Sequence, residues 1–126
     1  VLYVCAPTPL QHGVAAGIRA LGPSFYSDLI KEHQQKRDRF CGALSKAGLP
    51  PAVPQGAYYV LADMSRLPGK TSRERALYLL DKTGVAGVPG EAFFDGPEGS
   101  RFMRFCMAKT DQDLERASQA IEQFSR

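Results

Sequence analysis

The spacing of apolar residues changes along this chain of 126 residues, and each change predicts a new element of secondary structure. Residues 1–6 are mostly apolar and predict a short strand or an extended entry. Apolar residues then recur at helical spacing from 10 to 21, which indicates an amphipathic helix. We expect a capping box over Thr8–Gln11 to begin this helix, and Gly22-Pro23 to end it.

The second predicted helix is long, runs from about residue 25 to residue 47, and is amphipathic only at its two ends. Its middle, residues 31–39, is polar all round. A helix of this kind usually bridges two bodies, each of which packs on one end. Ser24 is its predicted cap and Gly48 its predicted end. The pattern therefore suggests a further domain outside this chain.

Shorter strand and helix signals follow and predict an α+β fold. Aromatic and β-branched residues indicate strands at 57–64, 85–89 and 101–109. Apolar residues at helical spacing indicate helices at 72–82 and after Thr110. We expect a small, largely antiparallel sheet of about three strands, packed with helices and joined by the long helix to another domain.

Capping residues and apolar stripes define these two later helices. Thr71 with Glu74, and Thr110 with Asp113, are predicted to cap the first turns, and Gly84 to end the earlier helix. The residues expected to face inward are Ala76, Leu77 and Leu80, with Tyr78 as a further candidate, in the earlier helix, and Leu114, Ala117, Ile121 and Phe124 in the later one.

The strand at 101–109 raises a chemical question, because an arginine interrupts its apolar pattern. Met103, Phe105 and Met107 share one face, and Arg104 lies in the middle of the other, which is otherwise mostly apolar. We therefore expect both faces to be covered. A buried guanidinium needs a partner, and its fork geometry suits a carboxylate or a phosphate. That partner is either an internal Asp or Glu or an external anion.

Composition excludes several classes of function. The net charge of +3 is mild and forms no basic run, so nothing indicates nucleic-acid binding. No apolar run reaches membrane-spanning length. The three cysteines, Cys5, Cys41 and Cys106, lack disulfide or metal-site spacing and favour a reducing, cytoplasmic compartment. Cys41 and Cys106 are interpreted as small core residues. The chain opens on Val1, which suggests a piece of a longer protein.

Candidate chemistry is sparse. His12 and His33 lie far apart, without the cluster of ligands that a metal site needs, and no nucleophile–base arrangement is legible, so we predict no metal or catalytic residue here. Residues 68–72 resemble the end of a phosphate-binding loop but lack its first glycine, and the capping box at Thr71 explains them without a ligand. Tyr58 and Tyr59 are interpreted as packing residues.

Four segments occur in an order and spacing that resemble the C-terminal part of the class I/II pyridoxal-phosphate aminotransferases of fold type I. The nearest branch is the kynurenine, glutamine and methionine type or the aspartate type. The segments are APTPLQ at 6–11, QGAYYVLAD at 55–63, GVAGVPGEAF at 84–93 and MRFCMAK at 103–109. The resemblance implies that residues 1–24 are the tail of the large, cofactor-binding domain and that residues 25–126 are the small domain.

The resemblance also implies a function. In this family a lysine holds pyridoxal 5'-phosphate, and an amino group moves between an amino acid and a 2-oxo acid. An arginine of the small domain pairs with the substrate α-carboxylate, and its place in the motif is Arg104. Without its large domain, Arg104 should face solvent or a stand-in anion. The full-length protein is expected to be a cytoplasmic homodimer.

None of the six lysines in this chain has the surroundings of the family's Schiff-base lysine. The resemblance therefore implies that these residues alone neither hold the cofactor nor transaminate, and that they contain no catalytic or cofactor-binding residue. Two other functions remain open, because one fold hosts many chemistries. One is a C–S β-lyase or another fold-type I enzyme that uses the same cofactor, and the other is a non-catalytic stand-alone domain.

Overall fold

The computed structural model describes residues 5–124, so most of the entry predicted at 1–6 lies outside the described residues. The chain divides into two compact units, one ending at Glu32 and the other beginning at His33. This boundary falls within the long helix. The predicted assignment of 1–24 and 25–126 to two domains of a larger protein stays a prediction.

The first unit contains helix α1, Thr8–Ala20, and the start of α2. The predicted capping box is wrong, because Pro7 occupies the N-cap position. The carbonyl of Pro7 accepts the backbone N–H of Gln11 at 3.2 Å, which is the group that a Thr8 cap would have bound. The Gln11 side chain instead donates to the carbonyl of Ala6 at 2.6 Å.

Helix α2 spans Pro23–Lys46 and begins earlier than predicted. Pro23 lies in the first turn, where its fixed φ suits a helix and its missing N–H costs nothing, so Ser24 is not the cap. Gly48 ends the helix as predicted, with a φ of +67°. The N–H of Leu49 donates back to the carbonyl of Leu44 at 2.9 Å, as in a Schellman motif.

The second unit is built on a four-stranded antiparallel sheet, which confirms the predicted α+β fold. Its strands are β1 (Pro51–Ala52), β2 (Tyr59–Asp63), β3 (Val88–Pro89) and β4 (Phe102–Cys106), in the order β1-β2-β4-β3. Strand β1 was not predicted, because prolines are tolerated only at the edge of a sheet and hide the strand signal.

Helices α3, Ser72–Thr83, and α4, Asp111–Phe124, belong to the same unit. The capping prediction for α3 is confirmed, since the N–H of Glu74 donates to Oγ1 of Thr71 at 3.1 Å. In the same way, the N–H of Asp113 donates to Oγ1 of Thr110 at 3.1 Å. Gly84 ends α3 in the left-handed conformation, as predicted.

The inner face of α3 differs from the prediction. Ala76 and Leu79 are buried, whereas Leu77 and Leu80 are 57% and 42% exposed. The buried stripe begins at Ser72, which is fully buried. Because Ser72 is polar, the spacing of apolar residues alone did not reveal this buried face of the helix. The stripe of α4 is as predicted, with Leu114 and Ile121 buried and Ala117 and Phe124 packed against the core.

The core of the second unit covers one face of the sheet. Met103, Phe105 and Met107 lie on that face and are at most 2% exposed. The opposite face carries Phe102, Arg104 and Cys106, which are all partly exposed. The expectation that both faces are covered is therefore wrong for the described residues. We call this second surface the open face of the sheet.

Candidate functional site

Arg104 lies at the centre of the open face. It is the middle residue of β4, paired in register with Leu61 of β2 on one side and with Val88 of β3 on the other. Residues paired in this way project to the same side of a sheet, so three neighbouring strands place Arg104. Because the flanking strands are hydrogen-bonded to β4, the position of its Cα is rigidly fixed.

The guanidinium of Arg104 is flanked by aromatic rings rather than by an acid. Its Cζ lies 4.1 Å from the ring centroid of Tyr59 and 4.1 Å from that of Phe93. Within residues 5–124, no hydrogen bond or ion pair joins Arg104 to another residue. The interpretation that an internal Asp or Glu pairs with Arg104 is therefore wrong for the described chain.

The nearby carboxylates already have other partners. Asp63 accepts from Arg101 at 2.9 Å and from the N–H of Ser65 at 2.8 Å. Burial alone would raise the pKa of Asp63, but the hydrogen bonds from Ser65 and the Arg101 charge outweigh it and hold that pKa below its usual value. Glu91 accepts from the N–H of Ser72 at 3.3 Å. Neither acid is available to Arg104.

Phe93 reaches Arg104 from a short 3₁₀ turn, Gly90–Ala92, that follows β3. The N–H of Phe93 closes this turn on the carbonyl of Gly90 at 2.8 Å. Gly90 packs so closely on the backbone of Gly99 and Phe102 that a Cβ there would collide with their carbonyl oxygens. The backbone of the turn is thereby seated directly against the start of β4.

A second contact ties the same turn to α3. The N–H of Glu91 donates to Oγ of Ser72 at 3.2 Å, while the Glu91 carboxylate accepts the Ser72 N–H at 3.3 Å. Ser72 is fully buried, so this reciprocal pair satisfies polar groups that would otherwise be costly. The Glu91 carboxylate thus has a structural hydrogen-bond partner in α3.

Two hollows adjoin Arg104. The larger has a volume of about 900 Å³, lies along β3 and β4, and reaches the start of α4. The smaller, about 260 Å³, is bounded by Tyr59, Phe93 and Leu61. Polar side chains on the wall of the larger hollow include Arg104, Lys109, Asp113 and Arg116. A space of this size with an excess of positive charge suits a small anionic molecule.

Asp113 is the acid on that wall and is already engaged. It accepts from the Thr110 hydroxyl at 2.8 Å and from Arg116 at 2.6 Å. The hydrogen bond from Thr110, followed by that from Arg116, lowers the pKa of Asp113. Arg104 is therefore the half-buried cation of the hollow whose N–H donors no described residue occupies.

The segment at 68–72 and two of the cysteines have structural surroundings that differ from those of Arg104. The 68–72 segment caps α3, and the N–H of Lys70 donates to the Glu74 carboxylate at 2.6 Å, so an acid occupies a donor that a phosphate would need. Cys41 is a core residue, and burial raises the pKa of its thiol. Cys106 lies on the open face instead, on the wall of the larger hollow, so its assignment to the core is wrong.

No group of three metal-ligating side chains occurs among residues 5–124. His12 lies in α1 and His33 in α2, within the two helices predicted from the sequence. Over the same part of the chain, none of the helices combines the length and the apolar character needed to cross a membrane.

Sequence reasoning missed Tyr59 and Phe93 as parts of the site. Strand alternation puts Tyr59 on the same face of β2 as Leu61, but only the register of β2 on β4 shows that this is the face of Arg104. Phe93 carried no such signal, since it arrives through a turn from outside the strand. The expectation that Arg104 would face solvent or a stand-in anion is only partly met, because both rings shield its guanidinium.

Comparisons with known proteins extend the resemblance seen in the sequence. The profile of the family described as aminotransferase class I and II matches residues 2–121. The chain is 31% identical to kynurenine–oxoglutarate transaminase 3 from Homo sapiens, over 98% of this chain and 31% of that protein. It is also 31% identical to methionine aminotransferase from Escherichia coli, over 92% of this chain and 30% of that protein.

Solved structures give the same result. The crystal structure of the Escherichia coli methionine aminotransferase superposes with a TM-score of 0.79 at 32% identity, over 92% of this chain and 30% of that one. N-succinyldiaminopimelate aminotransferase from Mycobacterium tuberculosis superposes with a TM-score of 0.81 at 27% identity, over 94% of this chain and 31% of that one. The chain thus spans about 30% of the length of these relatives.

Proposed function

Because this chain belongs to the class I and II aminotransferase family, we propose that it forms the C-terminal part of a pyridoxal-phosphate-dependent aminotransferase and supplies the arginine that binds substrate. In this proposal Arg104 binds the α-carboxylate of an amino acid or a 2-oxo acid. Residues 25–126 form the small domain, and residues 1–24 belong to the large one. A homodimer and a cytoplasmic location follow from the resemblance and stay predictions.

The state of Arg104 supports this proposal. Arg104 lies on an inner strand of the sheet, is half-buried, and has no acidic partner among the described residues. It therefore retains all its N–H donors for a ligand. A carboxylate matches two parallel N–H groups of a guanidinium and forms a bidentate, charge-assisted pair. Such a pair orients the substrate as well as binding it, and orientation lowers the barrier of the reaction that follows.

The proposal assigns no cofactor-binding residue to the described part of the chain. Covalent attachment needs a lysine whose charge is suppressed by burial or by neighbouring cations. The lysine on the wall of the larger hollow is Lys109, which is exposed, and the acid there, Asp113, is bonded to Arg116. We place the lysine that binds the cofactor in the part of the relatives' length that this chain does not span.

The proposal is tested by replacing Arg104 in the full-length protein. Arg104→Lys keeps the charge but loses the fork, so kcat/KM should fall by about 2–4 kcal/mol, or roughly 30- to 1,000-fold, with a raised KM. The assay follows 2-oxo-acid production from L-methionine and from L-kynurenine, with 2-oxoglutarate as the amino acceptor.

Arg101→Lys is the matched control, because Arg101 lies close in sequence but already has an acidic partner. Its kcat/KM should stay within about threefold of the parent value, as expected for an exposed ion pair. An unchanged kcat/KM in Arg104→Lys would assign Arg104 a structural role only. With L-cystathionine, which carries its sulfur on Cβ, release of a thiol, ammonia and a 2-oxo acid in place of amino transfer would instead identify a C–S β-lyase.

A further inference from the structure

We propose that Tyr59 and Phe93 are positioning residues, which hold the guanidinium of Arg104 in a fixed plane without occupying its hydrogen-bond donors. This inference rests on the proposed role of Arg104 as the carboxylate-binding residue. It concerns the two rings that lie 4.1 Å from its Cζ.

A half-buried arginine without an acidic partner carries a free-energy cost. A guanidinium removed from water loses hydration and needs a compensating contact. An acidic residue would compensate but would occupy the same N–H groups that a substrate carboxylate must reach. An aromatic face compensates differently, because its negative quadrupole attracts the cation over the ring. Two rings thus stabilise the charge of Arg104 and leave its N–H edge open.

The orientation of the guanidinium also matters for binding. A long arginine side chain has much rotamer freedom, and a bidentate contact is formed only when the guanidinium lies in the plane of the incoming carboxylate. Rings that contact the guanidinium restrict rotation of its plane. The substrate then meets a donor pair that is already aligned, so less conformational entropy is lost on binding.

The two rings are themselves held in place. Tyr59 is the first residue of β2 and pairs in register with Cys106, two positions from Arg104 on the neighbouring strand. Phe93 closes the 3₁₀ turn, which Gly90 seats against β4 and the Ser72–Glu91 pair ties to α3. Both rings are therefore anchored by backbone contacts made elsewhere, as a positioning role requires.

The test uses paired substitutions in the full-length protein. Phe93→Leu removes a ring and keeps an apolar side chain, while Phe93→Tyr keeps the ring, and Tyr59→Leu with Tyr59→Phe form the equivalent pair. Each leucine variant should raise KM for L-methionine about 3- to 30-fold with little change in kcat. The variants that keep a ring should stay within about twofold of the parent.

The control is Tyr78→Leu, since Tyr78 lies on α3, lines neither hollow, and packs edge-on against Phe124 with 6.0 Å between ring centroids. It should leave KM unchanged. A second readout is the NMR signal of the Arg104 Nε–Hε group, which lies among ring currents in the parent chain. Loss of either ring should shift and broaden that signal, whereas Tyr78→Leu should not.

The outcomes separate the two proposals. A large effect of Arg104→Lys together with unchanged KM in Phe93→Leu and Tyr59→Leu would overturn the positioning role and leave the substrate-binding role standing. Equal losses in Phe93→Leu and Tyr78→Leu would also overturn it, because they would indicate a general packing defect. No effect of Arg104→Lys would overturn the proposed function itself.

Discussion

Two arginines of one short segment, Arg101 and Arg104, have opposite surroundings. Arg101 lies just before β4, contacts one ring, Phe102, at 4.7 Å from its centroid, and is paired with Asp63 at 2.9 Å. Arg104 lies at the centre of β4, contacts two rings, and has no acidic partner among residues 5–124. The internal ion pair that the sequence allowed for Arg104 is thus made by Arg101.

In the proposed function Arg101 stabilises the structure and Arg104 binds substrate. An arginine whose donors are used by an internal acid has little left for a ligand. An arginine stabilised only through its faces keeps its donors and its full charge. The contrast supports the proposed role of Arg104, which requires N–H donors that no internal acid occupies.

The largest effect is expected when an acidic residue is introduced beside Arg104, so that both arginines have an acidic partner. Val88→Asp would place a carboxylate on the residue directly opposite Arg104 in register, at a position that is already 39% exposed. A new charged hydrogen bond of about 1.5–3 kcal/mol would compete with substrate, so kcat/KM of the full-length protein should fall roughly 10- to 100-fold. Steady-state kinetics with L-methionine would measure this.

The matched control for that variant is Val88→Asn, which has nearly the same shape and no charge. It should retain most of the activity. Equal losses in the two variants would point to a disturbed edge strand rather than to competition for Arg104. Full activity in Val88→Asp would contradict the view that substrate binding requires an Arg104 without an acidic partner.

A smaller effect tests the paired arginine through pH. The pKa of Asp63 is lowered in the folded protein, so its carboxylate form stabilises the fold above the unfolded pKa of about 3.9. That contribution is lost as the pH falls through the folded pKa. Asp63→Asn should therefore cost about 0.5–1.5 kcal/mol of unfolding free energy at pH 7 and progressively less as the pH is lowered through the folded pKa, measured by urea denaturation.

Arg101→Gln refines the same experiment. It removes the ion pair but leaves the hydrogen bonds that Asp63 accepts from Ser65, so it should remove only part of the pH dependence. The Arg101 side chain is 54% exposed, and solvent screens its charge accordingly. Identical pH profiles in Asp63→Asn and the parent would show that this pair does not stabilise the fold.

Several elements could be predicted because their signals are local. The stripe of α4 was correct, since its apolar residues follow helical spacing without interruption. The stripe of α3 was not, because buried Ser72 takes an inward position and the exposed Leu77 and Leu80 imitate a core face. The predicted cap of α1 was wrong because the carbonyl of Pro7, and not the side chain of Thr8, accepts the N–H of Gln11. A prediction of the buried face from hydrophobic spacing alone fails where polar residues are buried and apolar residues are exposed.

The sequence by itself determined which side of β4 each residue faces, because alternation along a strand is a property of the local backbone. It therefore separated Met103 and Phe105, which are buried, from Arg104, which lies on the open face. Only the tertiary structure decided that Asp63 pairs with Arg101 and that Phe93 packs on Arg104. Those contacts depend on strand register and on the close approach of the Gly90 turn to β4, which no spacing along the chain encodes.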